Sequence, residues 1–207
     1  MKLIKLGTEY GGHTIPDNLL NKDSIVYSGG AGEDISFDLK IFDMYECHVH
    51  IFDPTPRSIK YSEKIIRENE LEDYISFYPY GISDKDCQEQ FWGPANPKAV
   101  SHSCIHGLKV ASGFVAECKS IPSIMKDLKH NHIDLLKLDI EGAEFKVINN
   151  IIENNIFIRC ITLEFHNRSA HIDLTNEINQ AKQSLCGFDY KICLDEKGHA
   201  LFLKESS

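Results

Sequence analysis

The chain has 207 residues, of which 42% are hydrophobic, and its 31 acidic side chains against 22 lysines and arginines give a formal net charge of −9. This length and apolar content suit one globular domain over residues 1–207. The sequence has no basic stretch of the kind that nucleic-acid binding requires, and no apolar run long enough to cross a membrane. We therefore expect neither nucleic acid nor a membrane as a partner, and the sequence does not indicate an oligomeric state.

The seven cysteines are odd in number, none forms a C-x-x-C pair, and several lie within apolar runs. This pattern is typical of free thiols in a reducing compartment, and the N-terminus lacks the apolar stretch of a signal peptide. We therefore expect a cytoplasmic protein. The ten histidines show no H-x-x-x-H spacing and no tight cluster with acids on one helix, so the sequence predicts no metal site.

Strands and helices alternate from residue 25 onward. Apolar runs that predict strands lie at residues 25–28, 47–53, 74–80, 132–140 and 157–166. Segments with helical spacing of apolar residues lie at 34–43, 54–70, 141–153 and 173–187. This alternation is typical of βαβ units, so we predict an α/β fold with a mostly parallel sheet.

Two features depart from this alternation. Residues 189–204 contain two apolar runs joined by the turn sequence DEKG, which predicts an antiparallel C-terminal hairpin. Residues 88–92 and 113–120 predict two more strands, and they flank a long stretch, 93–111. A stretch of this length in a compact domain indicates either a binding loop or disorder, and the sequence leaves both alternatives open.

The residues that could bind a ligand or take part in a reaction lie at the carboxyl ends of the predicted strands. Ligands of open α/β sheets bind at this edge. Each end offers a glycine, an acid or a histidine, and these are Ser28–Gly32, Asp53, Gly81–Asp84, Asp139–Glu141, and Glu164 with His166. A turn or a helix dipole explains any one of them, but five in succession indicate a binding site.

The glycine loop after the first strand bears on the cofactor. A dinucleotide loop has the pattern G-x-G-x-x-G, whereas here Gly30 and Gly32 are followed by Ile35 at the third position. Glu33 and Asp34 begin the next helix and would repel a pyrophosphate. S-adenosylmethionine (SAM) has a sulfonium and an ammonium and no phosphate, so acids around the site favour it over NAD(P).

Asp53 ends the second strand, 21 positions beyond Gly32. A carboxylate at this place can accept hydrogen bonds from both hydroxyls of a ribose. The structural alternative is an Asp-Pro turn before the next helix, with Thr55 as N-cap and Pro56 at the first helical position. The two roles are compatible, and we predict ribose binding.

Five segments of the chain resemble the FkbM-type SAM-dependent methyltransferases. They are IVYSGGAGEDISFD, FDPTP, GISDKD, LLKLDIEGAEFKVI and ITLEFH, of which LKLDIEGAE is the most specific. The resemblance covers the chain from about Gly11 onward. It implies a Rossmann-like class I methyltransferase fold, in which a mostly parallel seven-stranded sheet ends in an antiparallel hairpin.

The resemblance also implies where SAM binds. The expected cofactor residues are Ser28, Gly29, Gly30, Gly32, Glu33, Asp53, Gly81, Ile82, Ser83 and Asp139, with the adenine beside Gly81–Ser83. Many class I methyltransferases have an acid where the first strand enters its glycine loop, but this chain has VYSGG there. We therefore assign the SAM ammonium to Glu33.

The expected reaction is SAM-dependent O-methylation of a small-molecule hydroxyl, in a sugar or a related metabolite. Candidates for the general base are Asp139, Glu141 and His166. Residues 1–23 are expected to fold over the site, and the substrate-binding candidates are Tyr10, His13, His102 and Glu164. Two alternatives stay open, which are an NAD(P)- or nucleotide-dependent α/β enzyme and a non-catalytic binding protein on a methyltransferase scaffold.

Overall fold

A computed structural model of the chain describes residues 1–96, 98–106, 111–166 and 172–205. Within these residues the strands are β1 (Leu3–Leu6), β2 (His13–Pro16), β3 (Val26–Gly29), β4 (Val49–Phe52), β5 (Ile75–Tyr78), β6 (Gly81–Ser83), β7 (Cys87–Gly93), β8 (Ala111–Ser120), β9 (Ile133–Leu138), β10 (Ile158–Glu164), β11 (Tyr190–Glu196) and β12 (His199–Lys204). The helices are α1 (Ser36–Tyr45), α2 (Pro56–Glu68), α3 (Ile121–Leu128), α4 (Glu144–Glu153) and α5 (Thr175–Gly187).

Seven of the strands form the central sheet, in the order β11-β12-β10-β9-β3-β4-β5. The pairs from β10 to β5 are parallel, while β12 runs antiparallel to both β10 and β11. Lys197 and Gly198 have positive φ in the tight turn between β11 and β12, as two-residue hairpin loops require. The predicted parallel sheet with an antiparallel C-terminal hairpin is therefore confirmed.

Both faces of this sheet are covered, which explains why its central strands β3, β4 and β9 are mostly apolar and buried. Val26 and Leu135 face a core that includes Phe37 and Ile41 from α1. The alternate strand residues face a second core, to which α3, α4 and α5 contribute. The period of two along each strand separates the two cores.

Two smaller sheets were not fully expected from the sequence. β1 and β2 form an antiparallel hairpin that lies against β10 and β12, within the N-terminal segment predicted only to cover the site. β6, β8 and β7 form a three-stranded sheet, in which the two strands predicted at 88–92 and 113–120 pair antiparallel. The helix α3, at Ile121–Leu128, was also not predicted.

Three helices, α1, α4 and α5, begin two or three residues later than the sequence predicted. Asp34 accepts a hydrogen bond from the backbone N–H of Ser36, which forms a turn before α1. Glu141 and Gly142 have positive φ, so α4 begins only at Glu144. Pro56 is the first residue of α2 as predicted, but the Thr55 side chain makes no capping hydrogen bond.

All seven cysteines are free thiols, as predicted. In the part of the chain that the structure describes, no helix is both long enough and apolar enough to span a bilayer.

Candidate active site

An open cleft lies at the carboxyl ends of β3, β4 and β9 and encloses about 820 Å³, counted with its mouth. The sequence-predicted residues that line it are Tyr10, Gly30, Gly32, Asp53, Gly81, Ile82, His102, Asp139 and Glu141. Four of the five strand ends predicted to form one site contribute to this lining, whereas Glu164 and His166, at the fifth, are not among the described lining residues.

Gly30 begins the glycine loop and packs tightly against the neighbouring strand ends. Its backbone N–H donates to the carbonyl of Phe52, and its φ is +84°. A Cβ added here would overlap the carbonyl oxygen of Asp139. Gly32 also has positive φ, +54°, but a Cβ there would meet open space. Close packing therefore requires glycine at position 30 but not at position 32.

Asp53 holds this loop in place. Its Oδ2 accepts hydrogen bonds from the backbone N–H groups of Ala31 and Gly32, each at 2.9 Å. Its Oδ1 accepts from the N–H of Thr55 at 2.7 Å, which is the expected Asp-Pro turn before α2. Asp53 is only 5% exposed, yet it lines the cleft, so its predicted ribose contact stays a prediction that this geometry allows.

Lys137 is a buried cation that the sequence analysis did not single out. It lies on β9, is 4% exposed, and its ammonium donates to the carbonyl of Gly30. The side chain shares its face of the sheet with Ser28 and Thr162, the residues aligned with it on β3 and β10. The signal in the sequence was a lysine inside the apolar run LLKL, because a charged side chain that is buried needs a polar partner.

The ammonium candidate Glu33 lies elsewhere than predicted. Its carboxylate binds Arg57 through both oxygens, at 3.1 and 2.6 Å, and it is not among the described residues that line the cleft. The neighbouring Asp34 does line the cleft, and the Thr8 hydroxyl donates to it. Of these two acids only Asp34 is among the described residues that line the cleft, and the contact with the SAM ammonium stays a prediction.

The loop between β9 and α4 is rigidly held. Glu141 has a φ of +56°, an uncommon conformation for a residue other than glycine, and Ser103 donates to its carbonyl at 2.6 Å. Glu144 is 1% exposed and accepts hydrogen bonds from the N–H groups of Ile140 and Gly142. Glu144 thus holds the loop in position through these hydrogen bonds, in addition to any interaction with the helix dipole.

His166 lies among four carboxylates. Its ring nitrogens are 3.7 Å from Asp139, 3.8 Å from Glu141, 4.0 Å from Glu144 and 3.9 Å from Glu164. Burial alone would lower the pKa of His166, but the surrounding carboxylates raise it to about 9. At neutral pH the imidazole therefore carries a proton, and we place the expected base role on Asp139 and Glu141.

The N-terminal segment contributes two residues of opposite exposure. Tyr10 is 77% exposed and lines the cleft, and partial burial together with Asp139, Glu141 and Glu164 raises the pKa of its hydroxyl. His13 is 1% exposed, and its Nδ1 lies 3.3 Å from the Thr162 hydroxyl. Burial, with Lys137 and His199 nearby, holds the pKa of His13 well below its usual value.

The long stretch 93–111 is a folded part of the cleft wall where the structure describes it. Trp92 and Ser103 exchange backbone hydrogen bonds, which folds the stretch back onto β7. His102 lines the cleft, and its Nδ1 lies 2.6 Å from the carbonyl of Val100. Residues 97 and 107–110 of the stretch lie outside the described residues.

The remaining predicted residues lie around the cleft, and the described lining does not include them. Ser28 and Gly29 are buried in β3. Ser83 is buried too, and its hydroxyl donates to Glu89. Glu164 lies at the end of β10 beside His166, where its role as a substrate residue stays a prediction.

Comparison with known proteins identifies relatives of the whole fold. A model of the methyltransferase FkbM domain matches residues 25–191. The human probable methyltransferase-like protein 24 is 26% identical over 186 residues, which cover 88% of this chain and 43% of the human protein. The chain thus spans less than half of that relative's length.

Solved structures give the same picture. The crystal structure of methyltransferase FkbM from Methylobacillus flagellatus KT superposes with a TM-score of 0.55 at 16% identity, covering 89% of this chain and 44% of that one. A putative rRNA-methylase from Clostridium thermocellum gives a TM-score of 0.52 at 10% identity, covering 90% of this chain and 89% of that one. At these identities the similarity shows the class I methyltransferase-like fold alone.

Proposed function

Because the chain belongs to the FkbM methyltransferase family, we propose that it binds SAM in the cleft and transfers the methyl group to a hydroxyl of a small molecule. The observation that carries this proposal is the charge of the cleft. Four carboxylates line it, from Asp34, Asp53, Asp139 and Glu141, against the single described lysine, Lys137. The ammonium of that lysine already donates to a backbone carbonyl.

This charge suits a cationic cofactor and opposes a phosphate. A pyrophosphate needs free backbone N–H groups at a positive helix end. Here the N–H groups of Ala31 and Gly32 donate to Asp53, and Asp34 precedes α1. The NAD(P) alternative is therefore the weaker one, while a sulfonium and an ammonium are attracted to the same carboxylates.

Each part of the cleft has a proposed task toward the donor. Asp53 binds the ribose hydroxyls, and the backbone of Gly81 and Ile82 lies beside the adenine. Asp34 and the carbonyl groups of the glycine loop face the ammonium. When SAM is bound, it supplies a methyl group on a sulfonium, and Asp139 and Glu141 line the part of the cleft assigned to the acceptor.

The chain's contribution to the reaction is to position the acceptor and to remove a proton. Bound SAM would supply the methyl carbon to the acceptor oxygen, and the electron pair of the broken sulfur–carbon bond would stay on sulfur. The hydroxyl proton passes to Asp139 or Glu141. In-line positioning supplies most of the acceleration, and a positioned base about 10²–10⁴-fold.

We propose a sugar or related polyhydroxylated metabolite as the acceptor. Tyr10, His102 and Glu141 offer the mixture of aromatic and hydrogen-bonding groups that such a molecule needs. A nucleic acid would bring phosphates toward the acidic cleft of a chain with a net charge of −9, so we do not propose one. We propose the cytoplasm as its compartment, since the thiols are free.

The test of cofactor choice is calorimetric titration of the full chain with SAM, S-adenosylhomocysteine and NAD in parallel. We expect the two adenosyl compounds to bind with one site per chain, and NAD to give no heat of binding. Tighter binding of NAD would reject the proposal. Binding of both adenosyl compounds without turnover of any hydroxylated acceptor would favour the non-catalytic alternative.

A further inference from the structure

His13, Asp139 and Glu164 come together from three separate parts of the chain. His13 opens β2 of the N-terminal hairpin, Asp139 follows β9, and Glu164 ends β10. One ring nitrogen of His13 and one carboxylate oxygen from each acid all lie within 4.8 Å of one another. No sequence motif indicates this group, because its members lie on three separate elements.

The buried histidine is what distinguishes this group from an ordinary acidic cluster. His13 is 1% exposed, and its Nε2 has no hydrogen-bond partner among the described residues. Its Nδ1 lies 3.3 Å from the Thr162 hydroxyl, which can accept a hydrogen bond from a protonated Nδ1. That tautomer leaves the lone pair of Nε2 free. A buried imidazole nitrogen without a partner is costly unless a ligand satisfies it.

We propose that His13, Asp139 and Glu164 bind one divalent transition-metal cation beside the cleft, whose lining includes Asp139. An imidazole nitrogen with two carboxylate oxygens is a donor set suited to Mn²⁺, Fe²⁺ or Zn²⁺. Ligand atoms around such an ion lie about 3–4 Å apart, so the group has to contract by roughly 1 Å on binding. Three protein ligands leave further positions for water or for a substrate oxygen.

The surroundings of the group are consistent with a dication. His199 lies 3.8 Å from the second oxygen of Glu164, where it can orient that carboxylate as outer-shell partners of metal ligands do. Asp139, Glu141, Glu144 and Glu164 together surround His166.

The test is titration of the chelator-treated full chain with Mn²⁺, without SAM, followed by calorimetry and by electron paramagnetic resonance. We expect one Mn²⁺ per chain and a nitrogen coupling from the imidazole in the pulsed spectrum. His13→Gln and Glu164→Gln are each expected to weaken Mn²⁺ binding at least tenfold. His106→Gln, at an exposed histidine outside the group, is the matched control and is expected to bind as the wild type does.

Parallel titrations define the chemical class of the ion. Zn²⁺ is expected to bind more tightly than Mn²⁺, and Mg²⁺ more weakly, because Mg²⁺ prefers an all-oxygen site. The proposal is overturned if the wild type binds no Mn²⁺ at 1 mM (about the weakest binding of interest for a specific site), or if both variants bind it as tightly as the wild type. Should His13→Gln not fold, Glu164→Gln decides, since that residue is partly exposed. SAM calorimetry on the same samples separates this result from the proposed function.

Discussion

Gly30 and Gly32 both have positive φ, but only Gly30 packs against backbone. We predict that Gly30→Ala lowers the free energy of unfolding by about 4 kcal/mol, because the new methyl group overlaps the carbonyl of Asp139. Gly32→Ala has open space and is expected to cost only about 1 kcal/mol, for the left-handed conformation. Urea unfolding of both variants measures this difference.

A third glycine provides the control for these two. Gly187 ends α5 and is the position where an added Cβ meets nothing and φ is not positive. Gly187→Ala is expected to change the free energy of unfolding by less than about 0.5 kcal/mol. Equal losses at Gly30 and Gly32 would show that the packing against Asp139 is not what requires glycine.

Asp53 is the residue on which cofactor binding should depend most. We predict that Asp53→Ala weakens SAM binding by about 10- to 100-fold, from the loss of a charge-assisted hydrogen bond worth about 1.5–3 kcal/mol. The glycine loop also loses its two-point support from Oδ2. Calorimetry on the folded variant measures the effect, with circular dichroism as the check on folding.

The control for Asp53 is an acid outside the cleft. Asp43 is exposed on α1, where it pairs with Lys40, so Asp43→Ala is expected to leave SAM affinity unchanged. An unaltered dissociation constant in Asp53→Ala would remove the ribose assignment and leave Asp53 with a structural role only.

At this scale the sequence predicted residues whose role follows from position. Asp53, Gly30 and Asp139 end parallel strands, and one edge of the sheet collects them. Glu33 was assigned to the SAM ammonium by its place in the chain, but its carboxylate pairs with Arg57. The next residue, Asp34, is the one that lines the cleft. Side-chain direction just before a helix depends on tertiary packing, which a single sequence does not specify.

The small three-stranded sheet is joined to α4 by a half-buried ion pair. The Lys146 ammonium lies 2.8 and 3.0 Å from the two oxygens of Glu89, and Ser83 also donates to that carboxylate. We predict that Lys146→Met lowers the free energy of unfolding by about 2 kcal/mol, because it leaves Glu89 buried without a counter-ion. Urea unfolding at neutral pH is the measurement.

An exposed pair on α2 is the matched control. Lys64 and Glu68 are 3.7 Å apart and well exposed, so Lys64→Met is expected to change stability by less than about 0.5 kcal/mol. Adding Glu89→Gln to Lys146→Met should restore part of the loss. If Lys146→Met is no more destabilising than Lys64→Met, the ion pair does not hold the two elements together.

The sequence predicted whether a segment is a strand or a helix wherever its pattern of apolar residues was regular over a long segment. The run LLKL and the helical spacing that follows it predict β9 and α4 with only their boundaries displaced. β1 and β2 are four residues each, too short for alternation to stand out, and tertiary contact with β10 and β12 stabilises them. The hairpin, and with it the position of His13, therefore needed the structure.

The end of the sheet opposite the cleft carries a cluster of three histidines, of which His50 is buried and His48 and His130 are half-buried. The ring of His50 lies 4.5 Å from that of His48 and 5.1 Å from that of His130, and its Nδ1 is 3.1 Å from the Tyr78 hydroxyl. Burial, together with these two histidines, lowers the pKa of His50 to about 3. Burial also lowers the pKa of His48 and of His130.

This cluster makes the stability of the whole molecule dependent on pH. His50 is neutral when folded and takes up a proton when unfolded, so stability is complete above pH 6.5 and is lost as the pH falls toward 3. At pH 5 the loss from His50 is about 2 kcal/mol. Urea unfolding at pH 7.5 and at pH 5.0 measures how much the free energy of unfolding falls between the two pH values. We predict that this fall is about 2 kcal/mol smaller in His50→Gln than in the wild type.

His106→Gln serves here as well, since His106 is exposed and lies outside the cluster. Its decrease between the two pH values is expected to equal that of the wild type. Carboxylates contribute equally to the pH dependence of stability in all three proteins. The difference between His50→Gln and the wild type therefore measures the contribution of His50. A decrease of the same size in His50→Gln would contradict the prediction.

The position of β12 between β10 and β11 affects how the protein can be made. β12 follows both of these strands in the chain, so the edge of β10 stays unpaired until residues 199–204 have left the ribosome. An open edge of this kind can pair with other chains. The contact of His13 with Thr162 likewise joins residues 149 positions apart. Synthesis from the N-terminus therefore cannot complete the sheet or the cleft in stages, and nascent chains are expected to depend on protection from aggregation until the last strand is in place.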